Sequence, residues 1–367
     1  MKILYDHQIF TSQVYGGISR YFCELIAYFT HQRHPEFELA LSFSNNAYLR
    51  KASFPGIRPF FPNRRFTGKT TIITTVNSWK SIRSLKTKKY DIFHPTNYDP
   101  YFLDYIGTKP FVVTVYDLIH EIYPELFPSD IKTKERKRLL VQKAHKIIAI
   151  SEKTKKDLLR FYNIDEQKIS VIYLANSLAT APKLLDTLAG APERYLFFVG
   201  ERKHYKNFNF MVKALAPLFK REQDLCLVCA GGGIFSSDEI AFLVQSGIGN
   251  RAFQFSVDDT ALAFLYQHAT AFIFPSRYEG FGIPVLEAFA CGCPAILSGS
   301  SSLPEVGGDA AIYFDPCDED SLRQAVSAVL HDSYIRSDFI TRGMTQLGEF
   351  SWAKTAQETR AVYESIC

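Results

Sequence analysis

Short apolar runs alternate with longer amphipathic stretches along most of the chain. In the first half, runs rich in β-branched and aromatic residues predict strands, and the amphipathic stretch after the Gly16-Gly17 turn predicts a helix. The predicted strands are MKILYD, ELALSFS, DIFHPT, FVVTVYD and KIIAIS. Between the last two lies SDIKTKERKRLLVQKAH, which predicts a strongly basic helix. Strands that alternate with helices in this way indicate parallel βαβ units.

A second series of the same kind begins near Tyr195. Its predicted strands, separated by predicted helices, are YLFFVG, LCLVCAGGG, RAFQFS, AFIFPS and PAILS. Residues 179–192 lie between the two series and hold Ala, Pro and Gly with little periodicity, which is typical of a linker. We therefore predict an α/β protein with two Rossmann-like, doubly wound parallel-sheet domains, residues 1–178 and 193–351, facing a central cleft. Ligands of open α/β sheets bind at the carboxyl ends of the strands, so such a cleft is the expected site.

Composition narrows the class of protein. The chain has 367 residues, which suits two domains, and its 47% hydrophobic and 22% charged residues are ordinary for a globular protein. No apolar run approaches the ~20 residues that span a membrane, and the start of the chain lacks the pattern of a signal peptide. Seven cysteines without framework spacing favour a reducing compartment, hence the cytoplasm. Cys291 and Cys293 are interpreted as small packing residues, since no second pair has metal-ligand spacing.

The net charge of +4 hides an asymmetry between the two halves. Residues 1–180 carry 27 Lys and Arg against 16 Asp and Glu, whereas residues 181–367 carry 15 against 22. A basic first half suits an anionic partner, such as a membrane surface or a phosphorylated acceptor. Solvated helix faces explain the excess almost as well, and both interpretations stay open.

The stretch SRYEGFGIPVLEAFACGCPAI carries the most informative pattern in the chain. A Gly-Phe-Gly turn follows an apolar strand, and Pro284 suits the start of a helix, which we expect near residue 283. The first N–H groups of such a helix attract phosphate. Glu279 is expected in the preceding loop and Glu287 in the first turn, where carboxylates suit the hydroxyls of a ribose or a hexose. A capping role explains Glu287 alone but not the glycine turn.

Two further loops suit an anionic ligand. Arg202 and Lys206 follow the strand YLFFVG and precede a helix, and this spacing lets them close on a diphosphate. Gly16 and Gly17 follow the first predicted strand and place backbone N–H groups at the edge of the first sheet. The Gly-Gly loop lacks the dinucleotide fingerprint and the P-loop lysine, so its signal is weak without the other loops.

A fourth candidate lies in VVTVYDLIHEIYPELF. Asp117 and His120 follow a buried strand, and a histidine there could bind a sugar hydroxyl or share charge with an oxocarbenium-like transition state. A lone loop histidine is more often structural. His94 follows another strand and carries the same two interpretations.

These motifs together resemble the retaining glycosyltransferases of family 4. The resemblance rests on EGFGIPVLEA with its two glutamates, on VG followed by Arg and YKN, and on PSRYEGFG, CGCP, SLPE, YFDP and the late FSW, all in order. It is dense in the C-terminal half and sparse in the N-terminal half. It implies the GT-B fold, with an acceptor-binding first domain, a donor-binding second domain and a last helix, residues 352–367, that crosses back to the first domain.

The resemblance also implies roles for residues in the donor-binding site. Arg202 and Lys206 would bind the donor diphosphate, which Gly17 would approach from the first domain beside Gly16. Glu279 would meet the transferred sugar, with Gly280 and the Phe281 and Gly282 amides close by. Glu287 would hold the ribose and Val257 would lie against the base. No metal or other cofactor is implied.

One position departs from the family. Many members carry His-Asp after the VVTV strand, and this chain has Tyr116-Asp117. His120 is predicted to supply the imidazole, so the predicted catalytic residues are His120, Asp117 and Glu279.

The predicted activity is transfer of a hexose with retention at the anomeric carbon. Mannose from GDP-mannose is favoured, with a UDP-sugar second, and the acceptor is a glycan or lipid-diphosphate-linked glycan of an O-antigen or capsule-like polysaccharide. A sugar-nucleotide epimerase, a phosphorylase and a non-catalytic sugar-nucleotide-binding protein are the alternatives. The expected place of action is the cytoplasm, with peripheral contact at the inner face of the membrane, and no nucleic-acid partner is predicted.

Overall fold

The alternating pattern forms parallel strands and helices in the computed structural model, which describes residues 1–52, 54, 56–64, 66–179, 188 and 190–367. The chain divides into unit 1, which comprises Met1–Leu174 and Ser351–Cys367, and unit 2, which comprises Ala175–Phe350. Within the expected linker, residues 180–187 and 189 lie outside the described residues.

Unit 1 contains two three-stranded parallel sheets, ordered β2-β1-β3 and β4-β5-β6. Its strands are β1 Lys2–Tyr5, β2 Glu36–Leu39, β3 Ile92–His94, β4 Val112–Val115, β5 Lys146–Ala149 and β6 Ile169–Val171. Its helices are α1 Gln8–Ser12, α2 Gly17–Gln32, α3 Ala47–Ala52, α4 Lys69–Thr87, α5 Leu103–Ile106, α6 Ile119–Ile122, α7 Ile131–Lys143, α8 Glu152–Phe161 and, after unit 2, α16 Trp352–Glu364. A parallel bridge between Phe93 and Phe111 brings the two sheets edge to edge.

The last helix joins the core of unit 1 through buried polar contacts. The Tyr363 hydroxyl lies 2.6 Å from Nδ1 of His94 and 3.0 Å from the Tyr5 hydroxyl, and Nε2 of His94 lies 2.9 Å from Oγ1 of Thr114. Burial lowers the pKa of His94 to about 3, because charging an enclosed imidazole is costly. His94 is therefore a neutral structural histidine that ties β3, β4 and α16 together.

Unit 2 contains one six-stranded parallel sheet. Its strands are β7 Tyr195–Val199, β8 Cys226–Ala230, β9 Ala252–Phe255, β10 Ala271–Phe274, β11 Ala295–Ser298 and β12 Ala311–Phe314. Its helices are α9 Phe208–Arg221, α10 Ser237–Gln245, α11 Asp259–His268, α12 Ile283–Ala290, α13 Leu303–Gly307, α14 Glu319–His331 and α15 Ser333–Leu347. All residues of β8 and β10 are buried, as expected of strands covered on both faces.

The strand order of unit 2, β12-β11-β10-β7-β8-β9, is the order of a doubly wound Rossmann sheet. The chain runs outward from β7 through β8 to β9, then returns to β10 on the other side of β7 and continues through β11 to β12. The order therefore reverses between β7 and β10, where the loops leaving the two strands separate and a ligand site is expected.

Several elements differ from the sequence prediction, among them β6 and β12, which were not predicted as strands. The strand expected over ELALSFS lies earlier, at Glu36–Leu39, where it pairs with β1. We predicted no helix over residues 69–87, where α4 lies. Its first turns, KTTIITTV, are rich in β-branched residues, which disfavour a helix intrinsically, so tertiary packing decides this element.

Candidate functional site

The loops after β7 and β10 meet at the switch point of the unit 2 sheet. Nζ of Lys206 lies 2.7 Å from Oε1 of Glu279, and both side chains are largely buried. The Arg277 amide also donates to the Tyr205 carbonyl at 2.8 Å, which joins the two loops through their backbones. The structure therefore brings together Lys206, predicted to bind phosphate, and Glu279, predicted to meet the sugar.

Backbone conformation and steric crowding explain the second glycine of the Gly-Phe-Gly turn. Gly282 has φ of 114°, a conformation that L side chains rarely adopt, and a Cβ there would lie 3.0 Å from Leu303. The helix α12 begins at Ile283, with Pro284 in its first turn, which confirms the predicted start. Glu287 is the fifth helical residue, so its predicted position in the first turn is wrong and it lies in the second.

Glu287 is buried, and it contacts the hydroxyl of Tyr266. That hydroxyl donates to Oε2 of Glu287 over 3.3 Å, and only 7% of the Glu287 surface is exposed. Burial, with the Glu287 charge next to it, raises the pKa of Tyr266 well above its ordinary value. Tyr266 therefore remains a neutral donor that orients the carboxylate.

Two serines that carried no predicted role hold the loop of Glu279. Oγ of Ser301 donates to the Glu279 carbonyl at 2.7 Å and accepts from the Glu279 amide at 3.2 Å. Oγ of Ser302 lies 2.9 Å from the Glu279 carbonyl and 2.8 Å from the Phe281 carbonyl. In the sequence these serines stand in GSSSLPE after a strand, and Ser302 begins the SLPE motif of the family resemblance, but neither pattern assigned them a role.

Arg202 has a different environment from the one predicted. Its side chain is 1% exposed; Nε donates to Oε1 of Glu239 at 2.9 Å, and Nη1 donates to the Gly231 carbonyl at 2.9 Å. Nη2 donates to the Gly233 carbonyl at 2.9 Å, and the guanidinium carbon lies 4.8 Å from the centre of the Phe235 ring. Arg202 therefore fixes the glycine loop after β8, and it also lines a cavity between this loop and the loop after β7. The diphosphate contact predicted for it stays a prediction.

The remaining donor-site candidates of unit 2 lie on the same edge of the sheet. Val257 is partly buried in the loop between β9 and α11. Gly280 is partly buried, and the buried ring of Phe281 packs edge-on against Phe350 with centroids 5.8 Å apart. Their predicted contacts with base and sugar stay predictions.

In unit 1 the Gly-Gly loop begins α2. Gly16 is extended and Gly17 is the first helical residue. A Cβ at Gly16 would lie 2.4 Å from Oε1 of Gln13, the atom that also accepts from the Ser19 amide. The side chain of Gln13 thus caps the helix over the predicted phosphate-approach position, and the role of Gly16 and Gly17 stays a prediction.

Asp117 and His120 point to different partners. Oδ1 of Asp117 accepts from the Ile119 amide at 3.1 Å, while Nε2 of His120 lies 3.2 Å from Oδ2 of Asp130. The His120 ring packs on Phe127, with centroids 4.5 Å apart. The structure therefore does not bring the two predicted catalytic groups of this loop together.

A buried lysine, absent from the prediction, supports that loop. Nζ of Lys137 donates to the Asp117 carbonyl at 2.9 Å and to Oε2 of Glu121 at 3.0 Å, and the side chains of Lys137 and Glu121 are 1% and 0% exposed. The Tyr162 hydroxyl completes the cluster by donating to Oε1 of Glu121. The helix KTKERKR predicts only a solvated basic face, so the sequence gives no signal for a buried lysine.

Among the described residues we find neither a metal site nor a membrane-spanning helix. In the described ranges, no group of three or more His, Cys, Asp and Glu side chains is arranged to hold a metal ion. Cys291 and Cys293 are buried free thiols, and burial raises the pKa of Cys291 to about 12. None of the described helices is both long and apolar enough to span a membrane.

The comparisons with known proteins decide the family. The model described as Glycosyltransferase Family 4 matches residues 15–175, and that described as Glycosyl transferases group 1 matches residues 186–346. The chain is 30% identical over 297 residues to O-antigen chain mannosyltransferase B of Escherichia coli, covering 77% of this chain and 76% of the relative. This chain belongs to glycosyltransferase family 4. It is thus a glycosyltransferase acting on hexoses, and the recognition made from the motifs is confirmed.

Other relatives agree with this family. O-antigen chain mannosyltransferase RfbU of Salmonella typhimurium is 28% identical over 218 residues, which is 59% of this chain and 60% of the relative. Sucrose-phosphate synthase from Thermosynechococcus elongatus superposes with a TM-score of 0.76 at 18% identity, covering 100% of this chain and 98% of that one. HepE of Anabaena, solved with UDP and glucose, gives 0.76 at 16% identity over 99% of both chains. These structures confirm the predicted GT-B fold.

Proposed function

We propose that this family 4 glycosyltransferase transfers mannose from GDP-mannose to a glycan hydroxyl with retention of the anomeric configuration. The observation that carries the proposal is the 2.7 Å pair of Lys206 and Glu279 at the switch point of the unit 2 sheet. A cation and a carboxylate side by side match the two parts of a nucleotide sugar, an anionic diphosphate and a polyhydroxylated ring. The mannosyltransferase names of two relatives favour mannose over other hexoses.

The proposed reaction breaks the bond between the anomeric carbon and the diphosphate oxygen. An ammonium group has three N–H donors, so Lys206 can keep its bond to Glu279 and also neutralise the leaving phosphate. The amino end of α12, which begins after Gly282, adds its dipole. The acceptor hydroxyl forms the new bond on the face that the leaving group vacates, and its proton passes to a phosphate oxygen.

The neighbouring groups take the remaining parts of the donor. The Glu287 carboxylate, oriented by Tyr266, accepts from the ribose hydroxyls, and Val257 lies against the base. Glu279 accepts from hydroxyls of the transferred sugar beside the Phe281 backbone. Because the phosphate charge is assigned to Lys206 and the helix, we propose that the reaction needs no metal, which activity in excess EDTA tests.

The proposal is tested by following nucleotide release with GDP-mannose and with UDP-glucose, with and without acceptor glycans. We expect Lys206→Met to lower kcat by about 10²–10³, the cost of losing one transition-state donor in comparable sites. Lys203→Met removes an exposed lysine three residues earlier and should retain activity, which controls for charge.

The outcomes separate the alternatives. Product NMR showing an inverted anomeric centre would refute the retaining mechanism, and preference for UDP-glucose would refute the donor. Nucleotide release without any acceptor would favour an epimerase. Donor-induced thermal stabilisation without turnover against any acceptor would favour a non-catalytic binding protein.

We also propose that unit 1 contacts an anionic membrane surface through a basic aromatic loop. The rings of Phe61 and Phe66 are 6.0 Å apart and 53% and 43% exposed, and Nζ of Lys69 donates to the Phe61 and Arg64 carbonyls. Exposed rings beside cations suit the interface of anionic lipids. The double change Phe61→Ser/Phe66→Ser should reduce sedimentation with phosphatidylglycerol vesicles, whereas Tyr334→Ser, which removes an exposed ring of unit 2, should not. Equal binding of all three proteins would refute the assignment.

A further inference from the structure

The turn that carries Lys206 has an uncommon backbone conformation. It is the single 3-10 turn His204–Lys206, which lies between β7 and α9. Its first residue, His204, has φ of 47°, and the residue that follows it, Asn207, has φ of 60°. Both values lie in the left-handed region that non-glycine residues rarely occupy. Such conformations persist only where surrounding contacts hold them, and they cluster at functional sites. The contacts of this turn therefore show what holds Lys206 in place.

Asn207 stands just before α9 but does not cap this helix. An asparagine at that position usually accepts a hydrogen bond from an amide of the first helical turn. Among the described residues, the Asn207 side chain makes no such bond. Asn207 is buried, and its Nδ2 donates instead to the Pro316 carbonyl at 2.9 Å. The side chain therefore serves the contact with Pro316 and not the helix end.

The Pro316 carbonyl belongs to a turn that is itself held in place. This turn joins β12 to α14, and Asp315 organises it. Oδ1 of Asp315 accepts from the Cys317 amide at 2.8 Å, and the Asp315 carbonyl accepts from the Asp318 amide at 3.0 Å. Pro316 thus offers Asn207 an acceptor with a fixed position.

Lys206 lies between two anchors of the same turn. On one side, the Tyr205 carbonyl accepts from the Arg277 amide at 2.8 Å, which ties the turn to the loop after β10. On the other side, Asn207 ties it to the turn after β12. In the sheet β10 is the neighbour of β7, whereas β12 lies two strands further away, so the two anchors come from different parts of unit 2. Together they set the position from which the Lys206 side chain reaches Glu279.

From this arrangement we infer that Asn207 is a positioning residue, which holds Lys206 against Glu279 for the reaction. The inference rests on the proposed function, in which Lys206 neutralises the leaving phosphate. The ammonium group must meet the phosphate at hydrogen-bond distance, and a misplacement of about 1 Å can lower the rate by about 10². In this role Asn207 acts through Lys206 and touches no reacting atom.

The first measurement compares the turnover of Asn207→Gly with that of the unmodified chain. Glycine adopts the left-handed conformation freely, so this change removes the hydrogen bond to Pro316 without straining the turn. With GDP-mannose as donor, kcat should fall by about tenfold or more. In a Lys206→Met background the same change should lower kcat by less than about twofold, because the group that Asn207 positions is gone. Asn250→Gly removes an exposed asparagine before β9 and should leave kcat unchanged.

The second measurement needs no enzymatic activity. The rate at which acetic anhydride acetylates Lys206, followed by peptide mass spectrometry, reports how freely the amine leaves Glu279, and it should rise severalfold in Asn207→Gly. Exposed Lys203 in the same chain should react at an unchanged rate. Glu279→Gln gives the Lys206 rate without the ion pair. Asp315→Ala loosens the turn after β12 and should also raise the Lys206 rate, which provides a second variant should Asn207→Gly fail to fold.

The outcomes separate the inference from the proposed function. Faster acetylation of Lys206, with a loss of kcat that disappears in the Lys206→Met background, supports the inference. An unchanged acetylation rate, an unchanged kcat, or an equal loss of kcat in both backgrounds overturns it, since a merely structural role lowers kcat whether or not the lysine is present. If the unmodified chain turns over neither GDP-mannose nor UDP-glucose, the proposed function fails, and the acetylation rate still decides whether Asn207 holds Lys206.

Discussion

Arg202 either binds the donor diphosphate or clamps the glycine loop after β8, and the two roles predict different effects of Arg202→Met. If the guanidinium is a donor ligand, the change weakens nucleotide-sugar binding and leaves the fold intact. If it clamps the loop of Gly231–Ile234, as its partners indicate, the change destabilises unit 2. A Cβ at Gly232 would lie 2.9 Å from Nη1 of Arg202 and 3.0 Å from the Gly200 carbonyl, so this loop is shaped closely around the side chain.

The expected loss of stability follows from the groups that Arg202→Met leaves without a partner. Removing one partner of a buried ion pair costs about 3–5 kcal/mol, and a charged hydrogen bond about 1.5–3 kcal/mol. Glu239 is 19% exposed and the glycine loop is exposed, so water replaces part of the loss. We therefore expect about 2–3 kcal/mol, which for a unit of this size lowers Tm by roughly 4–12 °C.

The assay must report on unit 2. The two tryptophans, Trp79 and Trp352, both lie in unit 1, so their fluorescence does not follow its unfolding. Calorimetry gives the Tm, and hydrogen exchange of peptides covering β8 and α10 locates the change. Lys203→Met is the matched control. An unchanged Tm together with lost donor binding in Arg202→Met would refute the clamp and support the diphosphate role.

Three further predictions test other contacts. Unit 1 should lose stability as the pH falls from about 6.5 toward about 3, because His94 takes up a proton in the unfolded chain but not in the buried site. In melts followed by tryptophan fluorescence, His94→Gln should reduce the slope of stability against pH by up to about 1.4 kcal/mol per pH unit, and the slope that remains comes from groups such as His7, whose pKa burial also lowers. Gly282→Ala should cost about 1–3 kcal/mol through its positive φ and contact with Leu303, and should weaken donor binding in a thermal-shift assay. Lys137→Met should destabilise unit 1 by about 3–5 kcal/mol in urea, because it leaves the Glu121 carboxylate buried without its cation, and Lys137→Met/Glu121→Leu should recover part of that loss.

Each of these has a contradicting result. If the stability of unit 1 in the unmodified chain does not change over this pH range, burial does not lower the pKa of His94. Normal donor binding in Gly282→Ala would show that the turn tolerates a side chain. A double variant less stable than Lys137→Met would show that the carboxylate is stabilised by groups other than the lysine.

The elements of unit 2 from β7 to β11 could be predicted because local pattern and tertiary environment agree there. Each strand from β7 to β11 is a short apolar run between turn residues, and Pro284 fixed the start of α12 to within one residue. The helix α4 was not predicted because Thr and Ile favour strands locally. Its helical form depends on packing, in which Asn77 binds the Phe43 backbone.

The amino-acid sequence by itself determined the class of fold, the family and the loop that carries Glu279, because periodicity, turn chemistry and motif order are local properties of the chain. Only the tertiary structure decided which charges meet. Arg202 pairs with Glu239 and Lys206 pairs with Glu279. The sequence shows only a basic loop after a strand, which does not say which carboxylate each cation meets. The buried pair of Lys137 and Glu121 is likewise tertiary, since Glu121 on α6 and Lys137 on α7 meet only where the two helices pack together.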